Sequence, residues 1–66
     1  MEVQRVGRLL TTAEAAKRLR VHVATMRRWR LDDVGPRFLN VGSVYRYPEE
    51  YLEAWITEKL AEQAAA

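Results

Sequence analysis

Sixty-six residues support one small core and no more, because a chain this short buries only about 60% of the surface that its unfolded form exposes. A hydrophobic share of 48%, with two Trp, three Tyr and one Phe, excludes a disordered tail, and the lack of Cys excludes a disulfide staple and a thiolate zinc site and suits a reducing cytoplasm. The formal net charge of +2 hides a division: up to Tyr47 there are ten Lys and Arg against four Asp and Glu, and beyond it one against five.

No uncharged run approaches the length of a membrane span, and no apolar signal-peptide region opens the chain, so a protein that stays soluble inside the cell is expected. Met1 to Leu9 has no helical period and contains Gly7, which predicts a flexible arm ending in a short extended piece and carrying Arg5 and Arg8 towards a phosphate. Thr11-Thr12-Ala13-Glu14 has the spacing of a capping box, so a first helix starts near Thr12 and ends near Arg20, burying Ala15, Ala16 and Leu19. A second helix runs from about Val23 to Asp32, with Met26 and Trp29 on its buried edge and Ala24, Arg27 and Arg28 facing away. From Lys17 to Arg30 there are six basic residues and no acidic one, a stripe that fits a polyanion.

Asp32-Asp33-Val34-Gly35-Pro36 stops the second helix, and Arg37 to Tyr47 then places β-branched and aromatic residues on both sides of Gly42-Ser43, the pattern of a hairpin. Period two turns Leu39, Val41, Tyr45 and Tyr47 towards the domain and leaves Asn40, Val44 and Arg46 outside, with Phe38 also on the outer side. Pro48 fits the first position of a third helix, whose opening turn holds Glu49 and Glu50. Leu52, Trp55, Ile56 and Leu60 form an apolar stripe predicted to pack over the first two helices, and Ala64 to Ala66 is expected to fray.

Two short helices in this order, with Ala15, Ala16, Leu19, Val21, Met26 and Trp29 at the small or apolar positions, resemble a helix-turn-helix. One position departs: Arg20 stands where that motif often has a left-handed Gly, which predicts a turn of different shape. Leu10-Thr11-Thr12-Ala13-Glu14-Ala15-Ala16, Gly35-Pro36-Arg37-Phe38, and Tyr45-Arg46-Tyr47 through Leu52-Glu53-Ala54-Trp55 extend the likeness. Together they resemble, over Leu9 to Ile56, the MerR-like winged helix-turn-helix of phage excisionases (recombination directionality factors) and AlpA-type regulators.

That resemblance implies a mainly α fold with a two-stranded β-hairpin wing, divided into an arm at 1–9, a DNA-binding domain at 10–62 and a frayed tail at 63–66. It further implies Thr25, Arg27 and Arg28 as recognition-helix contacts in the major groove, and Arg46 with Asn40 as contacts of the wing in the minor groove. Arg18, Arg20, His22, Arg30 and Arg37 are the phosphate candidates, His22 being equally placed to cap the second helix. With one His, one Ser and no Cys, no triad, metal site or phosphate loop can be assembled, so no catalysis, metal or cofactor is expected.

The implied function is that of an excisionase-like factor that binds and bends recombination-site DNA, with integrase and neighbouring copies of itself as partners, in the bacterial cytoplasm. A full MerR regulator continues into a dimerising helix and an effector domain, whereas this sequence stops at Ala66. An AlpA-like or MerR-like transcriptional regulator uses the same surface, and a module whose positive face meets an acidic protein is the alternative outside DNA binding.

Overall fold

Local signals account for most of the backbone. The computed structural model describes residues 7–65, in the order β1 (Leu9–Leu10), α1 (Thr12–Leu19), α2 (Val23–Leu31), β2 (Leu39–Val41), β3 (Val44–Pro48) and α3 (Glu49–Ala65). Arg5, expected to accompany Arg8, lies outside the described residues.

Both halves of the capping box form: the Glu14 amide donates to Thr11 Oγ1 at 3.0 Å, and the Thr11 amide donates to the Glu14 carboxylate at 2.9 Å. α1 ends as Arg20 turns to φ 60°, while the amides of Val21 and Arg20 donate to the carbonyls of Ala16 and Lys17 at 2.9 and 3.1 Å. Those two bonds make a Schellman ending, so the turn has the left-handed residue usually supplied by Gly, and not the altered shape that Arg20 predicts. Two satisfied carbonyls and the docking of Val21 on the core offset a conformational cost of roughly 1–2 kcal/mol.

α2 is capped by His22, whose Nδ1 accepts from the Ala24 amide at 3.0 Å. Its far end repeats the Schellman pattern: Asp33 takes φ 56°, its amide donates to Arg30 O at 3.3 Å, and the Val34 amide donates to Trp29 O at 2.9 Å.

The wing exists as predicted, but half of its facing is reversed. Gly42 at φ 65° is the first residue of a two-residue connection, as a type II′ turn requires, and it sets Val41 opposite Val44, Asn40 opposite Tyr45 and Leu39 opposite Arg46. Residues paired across an antiparallel ladder share a face. Asn40, Tyr45 and Tyr47 therefore lie on the inner side, where Phe38 also packs against the core, whereas Leu39 and Val41 join Val44 and Arg46 on the outer side. Period two sets the faces within each strand alone; the turn fixes their relative phase.

A third strand completes the sheet. β1 pairs with β3, Leu9 with Pro48 and Leu10 with Tyr47, giving the order β1-β3-β2. That pairing holds Pro48 in the strand, so α3 begins at Glu49, one residue later than expected.

Leu10, Ala15, Ala16, Met26, Tyr47 and Leu52 form the buried core, with Leu19, Val21, Val23, Trp29, Phe38 and Ile56 packed around it. α3 packs on β3 and reaches the other helices through Trp29–Trp55, with ring centroids 5.6 Å apart, and an Arg18–Glu53 ion pair. Leu60, expected in the apolar stripe, is 66% exposed. At 17 residues α3 is about 25 Å long, twice the length of α1 or α2, and its last turns pass beyond the core. The described residues form a winged helix-turn-helix, three helices with a small antiparallel sheet.

Candidate nucleic-acid interface

α2 turns one face to solvent. Ala24, Arg27, Arg28 and Leu31, spaced i, i+3, i+4 and i+7, are exposed, while Met26 on the opposite face is fully buried. Thr25 is half-buried beside them. Arg28 makes only a loose contact with Asp32, 3.9 Å across two exposed groups, which is weak enough to be exchanged for another anion.

The remaining cations are in very different situations. Arg20 is exposed in the turn before α2, and His22 next to it caps the helix through Nδ1, which leaves Nε2 on the far side of the ring. Arg18 is bound by Glu53 from α3. Arg37 lies over the Tyr51 ring at 5.0 Å. Arg46 is half-buried on the outer face and donates from Nη1 to Tyr45 O at 2.8 Å.

Arg30 is the most engaged of all. Its Nη1 donates to Thr12 Oγ1 at 3.2 Å and to Tyr47 Oη at 3.0 Å, and its Cζ lies 4.1 Å from the centroid of Tyr45. One guanidinium thereby ties α2 to the start of α1 and to β3.

The protonation of Glu14 is displaced. The Thr11 amide that donates to it holds its carboxyl below the usual carboxylate range; partial desolvation opposes this, and the Thr11 hydroxyl, Arg8 and Arg46 reinforce it. Arg8, 3.9 Å from Glu14, is thus drawn to the capping box.

α2 and the wing enclose a groove lined by Arg27, Arg30, Leu31, Phe38 and Tyr45. It brings together two of the sequence-derived cations, Arg27 and Arg30, with three apolar or aromatic residues not expected at the site. Leu31 is accessible to a helical-wheel reading, since it falls seven residues after exposed Ala24. Tyr45 and Phe38 are not, because their place depends on how the wing docks. Among the described residues no group of His, Cys, Asp or Glu is arranged to hold a metal ion, and no helix is long and apolar enough to cross a membrane.

Residues 9–60 match the family model described as a helix-turn-helix domain. No curated protein and no solved structure matches the chain.

Proposed function

The chain belongs to this helix-turn-helix domain family and is a small sequence-specific DNA-binding protein; we propose that within that role it acts as an excisionase-like architectural factor at recombination sites. Residues 10–62 form the DNA-binding unit, with α2 in the major groove and the wing in the adjacent minor groove. Arg28 reads base edges with Thr25 beside it, since a guanidinium pairs bidentately with guanine, while Arg27, which lines the groove towards the wing, meets the backbone. Arg46 and Asn40 serve the wing, and Arg20, His22 and Arg37 meet phosphates. Arg18 is a weaker candidate for a phosphate because Glu53 already holds it.

The observation that carries this reading is the exposure of Arg27 and Arg28 on a helix that shares a groove with the wing. A helix and a wing gripping two successive grooves impose a shape on the DNA between them, and the cost of that shape depends on sequence. One helix of 9 residues spans few base pairs, so several copies about one helical turn apart are needed for high specificity, each adding a share of bend. The protein's contribution to recombination is to steer an integrase towards excision.

Selection from a random-sequence duplex library identifies the site, and gel shifts on circularly permuted fragments, followed by addition to an integrase reaction on paired attachment sites, test the rest. Cooperative occupancy, a bent fragment and stimulated excision are expected. Independent occupancy of an unbent fragment with no effect on excision overturns the architectural role in favour of a transcriptional regulator using the same surface. Binding that is indifferent to duplex sequence and to salt would point instead to a protein-interaction module.

A further inference from the structure

The groove between α2 and the wing has a volume of about 330 Å³ and combines two guanidinium residues with an apolar wall. Leu31, 82% exposed, and Tyr45, 36% exposed, make that wall with Phe38. Arg30 uses Nη1 for Thr12 and Tyr47 and rests on the Tyr45 ring, which leaves Nε–H and the Nη2 protons as donors. Its side chain is already fixed by folding, so engaging a ligand costs it little further entropy. Arg27, exposed one turn earlier on α2, can close on an anion from the other side.

We propose that this groove seats one sugar–phosphate unit of the DNA backbone, the phosphate between Arg27 and Arg30 and the deoxyribose against Leu31 and Tyr45. The inference rests on the DNA-binding reading above and goes beyond it. A protein that places a helix in one groove and a wing in the next must straddle the strand that separates them, and this groove is the space between those two elements. Paired cations beside an apolar wall match a ligand that joins a phosphodiester to a sugar ring presenting C–H groups. The same seat explains an exposed leucine amid cations, where water alone gives it no partner.

Leu31→Glu tests the assignment, because the side chain is too exposed for the change to unfold the domain, and Leu31→Gln controls for shape without charge. The probe is the duplex recovered by selection, carrying one neutral methylphosphonate at each backbone position in turn. Wild-type binding should fall roughly tenfold or more at one position on one strand for each bound copy, as expected for loss of charge-assisted bonds. Leu31→Glu should bind the unmodified duplex at least about tenfold more weakly than Leu31→Gln, since a carboxylate then faces a phosphate. On the duplex neutralised at that position, the difference between Glu and Gln should largely disappear. A Glu penalty that is absent, or equal at every methylphosphonate position, overturns the seat while leaving DNA binding intact; wild type that binds no duplex overturns both.

Discussion

Gly35 lies against the indole of Trp29 so closely that a Cβ at position 35 would stand 2.9 Å from Trp29 Cε3 and 3.0 Å from its Cβ. Gly35 also has φ 87°, so the loop after α2 depends on glycine for both its conformation and its space. Trp29 in turn meets Trp55, and the end of the recognition helix, the entry to the wing and α3 converge on one side chain.

Gly35→Ala should therefore destabilise the domain by about 2–3 kcal/mol, combining backbone strain with a clash against a ring that cannot move freely. Urea unfolding followed by tryptophan fluorescence measures it. An unchanged midpoint would show that the loop can lift from Trp29 at no cost.

Arg20 and Asp33 close their helices in the left-handed region without being glycine. Arg20→Gly should raise stability by up to about 1 kcal/mol, and Asp33→Gly by less, because Asp tolerates that conformation better. If Arg20 meets a phosphate, the stabilised variant will bind DNA more weakly, with a log–log salt slope shallower by about one. Thermal melts and salt titrations on the same preparations separate the two effects; a variant with a higher melting temperature and an unaltered slope would remove Arg20 from the contacts.

The capping box predicts a pH dependence. The folded state holds the Glu14 carboxyl below its unfolded value, so its contribution is complete above the ordinary carboxylate range and disappears as the pH falls through the folded value. Glu14→Gln keeps an acceptor for the Thr11 amide but gains no proton. Wild type should be the more stable near neutral pH, and its advantage should close as the pH falls into and below the ordinary carboxylate range. Melts across that range check this; a gap independent of pH would mean that the carboxylate charge contributes nothing.

On DNA, Arg28→Ala should cost about 1–3 kcal/mol of discrimination between the selected site and single-base variants. Arg46→Ala should lower affinity while leaving the base preference largely intact. Wild-type affinity should fall with salt at a slope of roughly −4 to −5, corresponding to about four to six neutralised phosphates. Equal loss of discrimination from both alanine variants would contradict the division between helix and wing.

What is legible in the sequence is local. Thr11 and Glu14 are three residues apart and announce the start of α1; Gly42-Ser43 between two β-branched runs announces the hairpin; Ala24, Arg27 and Arg28 share a helical face at any packing angle. These features need only the backbone periods and a turn, and they suffice for the winged helix-turn-helix and for the face that α2 presents.

The tertiary structure alone decides what becomes of the rest. Leu60 misses the core because α3 outruns the elements beneath it, which its own periodicity cannot register. Leu39 and Val41 turn outwards because a two-residue turn, and not either strand, sets the phase between β2 and β3. Among cations alike in a charge count, Arg18 is taken up by Glu53, 35 residues away, and Arg30 by Tyr47, 17 residues away, while Arg27 and Arg28 remain free of any close ion pair among the described residues. A guanidinium's partner is chosen by which elements come to lie side by side, and that choice is made by the packing of Met26, Tyr47 and Leu52 at a distance along the chain where no local pattern reaches.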